Sequence, residues 1–249
     1  MNPQAYLSYS HEVSSWLHAG RSQLVQKVLS WSLTESVGNR EMLEVGAGVG
    51  QNIPMLSQFG QVDALELDPL GLAKLRDLQQ VRHVFESAIP SDLQGMWDVI
   101  CACDVIEHIE DDRSAIQWIF DHLKPGGIFL ATVPAFQWLY SDHDRALGHY
   151  RRYNAENFER LLPADAVRLY GSYFNSYLFP LGLASRMTWQ MWRRFRGRNE
   201  DVPKKQPVPT GRYADKILRT VFLQEVANMS ETTRRGFGLS YYVCARKLN

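Results

Sequence analysis

The chain has 249 residues, enough for one large α/β core without requiring a second domain. It is 45% hydrophobic, 12% aromatic and 22% charged, a globular composition that excludes a disordered tail as its main content. Lys plus Arg and Asp plus Glu both number 27, so the zero net charge argues against whole-molecule steering toward nucleic acid and leaves only local patches.

The first twenty residues, MNPQAYLSYSHEVSSWLHAG, carry neither a basic flank nor a long apolar stretch, so they do not resemble a signal peptide. Residues from about 21 to 37 read as a helix, with Leu24, Val25, Val28, Leu29 and Leu33 at three-to-four spacing. Arg40 to Val45 is a short apolar strand that runs into Gly46, Gly48 and Gly50. Helical spacing resumes over Asn52 to Phe59, a second strand covers Val62 to Leu67, and a helix over Leu72 to Gln80 leads to a strand at Val81 to Phe85. Trp97 to Cys103 is nearly all apolar and reads as a buried central strand. A helix at Arg113 to Leu123 stops at Lys124-Pro125-Gly126-Gly127, and Ile128 to Val133 is the next strand.

Beyond Pro134 the pattern loosens. Ala135 to Tyr153 is polar and aromatic, too long for a plain connection and in keeping with a lid or binding loop. A helix at 155–162, a strand at Ala166 to Phe174, an amphipathic helix at Leu178 to Phe195, a proline-rich excursion at Arg196 to Gly211, a helix near 213–229 and a strand at Ser240 to Ala245 complete the chain. Short strands alternating with helices call for a parallel sheet covered on both faces. The three cysteines, Cys101, Cys103 and Cys244, lack metal-ligand spacing and read as free buried thiols of a reducing compartment. No run of 18 uncharged apolar residues is present, so the reading is a cytoplasmic protein, with peripheral membrane contact left open.

Glu44-Val45-Gly46-Ala47-Gly48-Val49-Gly50 lies between the first strand and its helix, where glycines permit a tight turn and a close approach of backbone to ligand. Glu66 ends the second strand 20 residues after Gly46, a spacing that suits a carboxylate accepting from ribose hydroxyls. The order G-x-G-x-G, with Gln51 where a dinucleotide turn has its third glycine, speaks against nicotinamide or flavin dinucleotides. Glu44 would also sit poorly beside a pyrophosphate and well beside an ammonium group.

These stretches, with WDVICACDVIEHIEDD at 97–112 and LKPGGIFLATVP at 123–134, resemble class I S-adenosylmethionine (SAM)-dependent methyltransferases in order and spacing. The segment around Gly148-His149-Tyr150-Arg151-Arg152-Tyr153 is similar to the GHxRRY loop of a type 11-like subgroup. The resemblance implies a Rossmann-like, seven-stranded, mostly parallel sheet with an antiparallel last strand and helices on both faces. It implies one methyltransferase domain over 1–249, with a helical cap at 1–38, a SAM-binding core at 39–134, an acceptor-side loop at 135–153 and a helical insertion at 175–230. On the cofactor side, Glu44, Gly46, Ala47, Gly48 and Gly50 would frame the methionine end, and Glu66 would hold the ribose. Leu67 would pack on the adenine, with Ser87 and Ala88 beside its amine, although Ser87 stands where many relatives have Asp. Cys103 and Asp104 would border the methyl-donor pocket, and the N-terminal residues Glu12, Trp16 and Arg21 would close over it.

For the acceptor, a positioned histidine or carboxylate near the ends of the fourth and fifth strands is the expected base. His108 in Asp104-x-x-Glu107-His108 is one candidate, and no metal is expected there: the similar Glu-x-x-Glu-His of metal-dependent relatives has Asp in its first position here. His143, Asp144, His149 and Arg152 form the second group, a lid bringing His143 or His149 to the acceptor and Arg151 or Arg152 to an anionic group. Tyr173 to Trp192 is rich in large apolar groups, and between 186 and 205 seven basic residues stand against two acidic ones. That segment fits a packed helix, an apolar acceptor pocket or a membrane surface.

The expected activity is methyl transfer to an O, N or C atom of a small, partly apolar or lipid-like metabolite. A nicotinamide-dependent reductase, a non-catalytic SAM-binding scaffold, and an RNA or protein methyltransferase are the alternatives.

Overall fold

A computed structural model describes residues 16–33, 39–195 and 211–248; the side chains of 189, 190, 192–195 and 212 lie outside that description. Expectations that fall on Glu12, the basic residues Arg193 to Lys205 or the start of the N-terminal cap are therefore outside the described residues.

The elements run α1 (Trp16–Ser32), β1 (Glu41–Val45), α2 (Ile53–Leu56), β2 (Gln61–Glu66), α3 (Pro69–Arg76), β3 (Val81–Glu86) and β4 (Trp97–Cys103), then a 3-10 turn at Ile106–His108. They continue with α4 (Asp112–Asp121), β5 (Leu123–Pro134), a 3-10 turn at Gln137–Leu139, α5 (Asp142–Leu147), α6 (Ala155–Glu159), β6 (Ala166–Phe174), α7 (Phe179–Phe195), α8 (Arg212–Ala227) and β7 (Ser240–Lys247). The seven strands form one sheet in the order β3-β2-β1-β4-β5-β7-β6. Neighbours from β3 to β5 pair parallel, and β7 runs antiparallel between β5 and β6. This is the Rossmann-like methyltransferase sheet expected from the sequence, with its last strand reversed.

Period-two alternation splits the central strands between two apolar layers. Val99 and Cys101 of β4 join Leu24, Val28, Leu218 and Phe222 of α1 and α8 on one face. Ile100 and Ala102 join Ala115, Ile116 and Ile119 of α4 on the other. Burial on both faces is why β4 reads as an unbroken apolar run. The chain reverses its direction of travel across the sheet between β1 and β4, so a crevice opens at their carboxyl ends.

Several boundaries differ from the sequence reading. The expected start of α3 at Leu72 moves back to Pro69, because Asp68 accepts from the Leu70 amide at 2.9 Å as N-cap and Pro69 occupies the first turn. The Lys124-Pro125-Gly126-Gly127 stop is instead the start of β5: Trp97 pairs with Leu123, and Gly126 at φ +77° absorbs the irregularity before Ile128 meets Val99. Asn52 to Phe59 contains only a short helix, Ile53–Leu56, continued by single turns. The loop at 135–153 is largely structured, since Ser141 and Asp144 form a reciprocal capping box on α5 and Gly148 ends it in the left-handed conformation.

Candidate active site

A cavity of about 870 Å³ occupies the crevice at the carboxyl ends of β1, β2, β4 and β5 and extends under α7 and α8. One end is shaped mainly by backbone. Gly46, Gly48 and Gly50 have φ of +64°, +58° and +80°, a left-handed series that turns the chain from β1 into α2. At Gly46 a Cβ would stand 2.6 Å from Val105 Cγ2, so a side chain there collides with the segment after β4. Gly50 is constrained by packing instead: its Cβ would meet Leu78 at 2.3 Å, and the residue is not on the cavity wall. Ala47 is also off the wall, buried, with its amide donating to Leu65 O at 3.1 Å and so tying the turn to β2.

Glu66 fixes this turn from the neighbouring strand. Its Oε2 accepts from the Gly48 amide at 2.6 Å and its Oε1 accepts from the Leu67 and Asp68 amides, both at 2.8 Å. Three of a carboxylate's roughly four lone-pair positions are thereby used, and one remains on Oε2 at the cavity wall. Glu44 lies buried behind the turn. Asn52 Nδ2 donates to its Oε1 at 2.7 Å, while Oε2 has no partner. Burial, with the charge of Glu66 beside it, pushes the Glu44 carboxyl up to about 8 despite the bond from Asn52. Leu67, Ser87 and Ala88 border the same end, and Leu67 is exposed.

In the middle of the cavity, Asp104 closes β4 at φ +55°, its Oδ1 accepting from Thr132 Oγ1 at 2.8 Å and its Oδ2 from Arg21 Nη1. Arg21 and Trp16 bring α1 over the crevice, where the Trp16 amide donates to Asp215 at 2.9 Å and its ring meets Phe222 edge-on. Cys103 is on the wall, and burial raises its thiol far above the ordinary range, so it stays neutral.

The far end is built from side-chain charge. Asp144 is fully buried. Arg152 reaches its Oδ1 through Nε at 2.7 Å and Nη2 at 2.6 Å, the Ser141 amide donates to Oδ2 at 2.9 Å, and Arg186 Nη1 stands 3.3 Å away. Burial would raise this carboxyl, but the bond from His149 and the charges of Arg152 and Arg186 outweigh it and hold Asp144 well below the usual carboxylate range. Because Asp144 is thus ionised, His149 Nδ1, 3.1 Å from Oδ1, is the donor, an arrangement that in the neutral ring puts the lone pair on Nε2. His108 packs edge-on against His149 at a centroid distance of 4.6 Å. Burial and the neighbouring His149 lower His108 to about 4, leaving it neutral at pH 7.

Of the residues picked from sequence, Arg21, Gly46, Gly48, Glu66, Leu67, Ser87, Ala88, Cys103 and Asp104 line the cavity, as do His108, His143, His149 and Arg152. Glu44, Ala47, Gly50 and Asp144 stand behind the wall. Asp144 serves as the anchor of the loop, and Arg152 spends its guanidinium on Asp144 and the Ala135 carbonyl. Arg151 turns to Asp112 at 2.7 Å, away from the cavity wall. Sequence reasoning passed over Arg186 and Asn175, both on the wall; Asn175 is buried at φ +57° with its Oδ1 unpartnered. It also undervalued Glu107, whose two carboxylate oxygens are buried without a partner.

A family model described as a methyltransferase domain matches residues 16–170, more than half of the chain. The chain is 28% identical over 116 residues to a ubiquinone biosynthesis O-methyltransferase of Pseudomonas fluorescens, covering 42% of this chain and 50% of that protein. It is 28% identical over 122 residues to a trans-aconitate 2-methyltransferase of Deinococcus radiodurans, covering 48% and 45%. The chain spans about half the length of the curated relatives it matches. Among solved structures, the plantazolicin methyltransferase BpumL in complex with SAH (S-adenosylhomocysteine) superposes with a TM-score of 0.60 at 10% identity, covering 100% of this chain and 92% of that one. A phosphoethanolamine N-methyltransferase of Haemonchus contortus in complex with SAM gives 0.54 at 18% identity, covering 90% and 52%. At such identities the likeness is one of fold.

Proposed function

Because this chain belongs to the methyltransferase-domain family, we propose that it moves a methyl group from SAM to an oxygen, nitrogen or carbon of a small, partly apolar or lipid-like molecule. The observation that carries the reading is one continuous cavity of about 870 Å³ joining the glycine turn to the histidine wall.

The glycine end fits SAM. Glu44 offers a buried carboxylate oxygen with no partner, suited to the ammonium of the methionine moiety. Glu66 keeps a lone pair for the ribose, and Leu67 and Ala88 give the adenine apolar neighbours. When bound, SAM supplies an electrophilic methyl on a sulfonium whose leaving group is a neutral thioether. The chain's own residues then have to hold the acceptor in line and keep water out. Leu178 just before α7, Leu181 of α7, Leu218 of α8 and Leu239 give the acceptor region an apolar wall. His149, oriented by Asp144, presents Nε2 to the acceptor's reacting group, with neutral His108 beside it. His143 lines the same region as a second candidate base.

Arg152 and Arg186 both turn to Asp144, so each is already engaged within the wall. Exposed Met187 and Met191 on α7 and Ile217 on α8 continue the apolar surface outward, which supports a lipid-like acceptor met at a membrane surface. No helix among the described residues is long and apolar enough to cross a membrane.

The test is incubation of the purified chain with labelled SAM and a metabolite extract, followed by fractionation. Label in a low-mass product is expected. Label confined to RNA or protein would contradict the acceptor class, and no label in any fraction would point to a SAM-binding scaffold.

A further inference from the structure

We propose that Glu107, His108 and His149 bind a divalent first-row transition-metal ion at the acceptor end of the cavity. The sequence reading expects no metal here; the packing of the acceptor-side loop against the turn after β4 is what creates the site. Tyr150 N donates to Glu107 O at 2.8 Å, and Tyr140 Oη donates to the His149 carbonyl at 2.7 Å, so the loop is fastened beside His149. One ligand atom from each of the three residues lies within 4.8 Å of the others. All three residues line the cavity.

The second observation is the condition of Glu107. The residue is 0% exposed, and both carboxylate oxygens lack a hydrogen-bond partner. Buried polar atoms without a partner are costly and uncommon, and a bare buried acid group is one that a bound ion would satisfy. The nearby charged groups are already engaged. Arg152 is held by Asp144 and the Ala135 carbonyl, and Arg21 by Asp104. Asp104 is itself bound by Arg21 and Thr132, which removes it from the ligand set.

The two histidines are prepared as ligands. His149 gives Nδ1–H to Asp144 at 3.1 Å and retains Nε2, the arrangement in which a carboxylate orients a metal-binding imidazole. His108, packed edge-on against His149, offers one ring nitrogen to the same cluster. A small closure of the rings, whose centroids are 4.6 Å apart, onto Glu107 would bring the donors to one ion. Two imidazoles and one carboxylate suit zinc, cobalt or nickel, and three protein ligands leave a coordination position open toward the cavity. The proposal deepens the methyl-transfer reading and rests on it for the ion's purpose, which is to hold the acceptor's heteroatom. With an ion bound, Nε2 of His149 is occupied as a ligand, and the base role passes to His143, the second candidate on the same wall.

The test uses the full chain, stripped with chelator and dialysed, then titrated with Zn²⁺ by calorimetry and with Co²⁺ by visible absorption. SAH affinity is measured on the same samples. One ion per chain is expected. His108→Ala, His149→Ala and the near-isosteric Glu107→Gln should each weaken binding by about tenfold or more, on the scale of lost metal-site interactions. SAH affinity and thermal stability should stay near the wild-type values in Glu107→Gln, and His83→Ala, a histidine on β3 that is not on the cavity wall, should bind the ion as wild type does. Absence of saturable binding, or wild-type affinity in all three ligand variants, would overturn the site. A chain that binds Zn²⁺ but not SAH would keep the site and defeat the methyl-transfer reading instead.

Discussion

The glycine end and the histidine end of the cavity share a wall at Asp104 but are made of different materials. At the glycine end the ligand-facing surface is largely main chain, held by three hydrogen bonds from backbone amides to Glu66 and a run of left-handed glycines. At the histidine end it is a buried charge network in which Asp144 binds His149 and Arg152 of its own loop and Arg186 of α7. The first arrangement depends on backbone shape, and the second on keeping a small set of charges balanced. Substitutions should therefore fail differently at the two ends.

The largest effect is expected from Gly46→Val. The positive φ and the 2.6 Å approach to Val105 leave no room for a Cβ, so SAH binding should become undetectable by calorimetry. Next comes Asp144→Ala, which leaves Arg152 and Arg186 buried without their carboxylate. It should destabilise the fold by about 3–5 kcal/mol in denaturant titrations, the usual cost of breaking a buried pair. The contrast sharpens if Gly46→Val stays folded while Asp144→Ala does not.

A smaller effect concerns pH. The folded-state pKa of Glu44 is raised from an ordinary 4.5 to about 8 by burial. The folded state holds that proton more tightly than the unfolded chain, so the contribution is full below 4.5 and declines as pH rises toward 8. Ligand-free protein should lose about 1.4 kcal/mol per pH unit within that window from this group. Melting temperatures from pH 5 to 8 should fall in wild type and flatten in Glu44→Gln. SAH binding near pH 7 should release protons if its ammonium draws Glu44 into the charged form, read as a dependence of calorimetric heat on the buffer's ionisation enthalpy. A histidine-end variant should leave that proton release intact.

The same contrast governs what could be read from the residues alone. Strand alternation, the Gly46-Gly48-Gly50 turn and the interval to Glu66 are local signals, and the folded chain keeps them where the sequence puts them. The histidine end depends on meetings between distant segments. Nothing local marks Arg186 on α7 as a partner of Asp144, or Asn175 as a wall residue. Nor does the Asp104-x-x-Glu107-His108 string reveal that Asp104 is taken by Arg21 while Glu107 is left bare. One signal was present and outweighed: Ser141-x-x-Asp144 is a capping box, which turns Asp144 inward as an anchor and away from the substrate.

The central claim is that donor and acceptor are handled at separate ends of one cavity. Calorimetric titration of SAH into wild type, Glu66→Ala and His149→Ala tests it most directly. Wild type should bind SAH, Glu66→Ala should bind about tenfold or more weakly through lost charge-assisted hydrogen bonds, and His149→Ala should bind as wild type does. Unchanged affinity in Glu66→Ala, or loss of affinity in His149→Ala alone, would contradict the account.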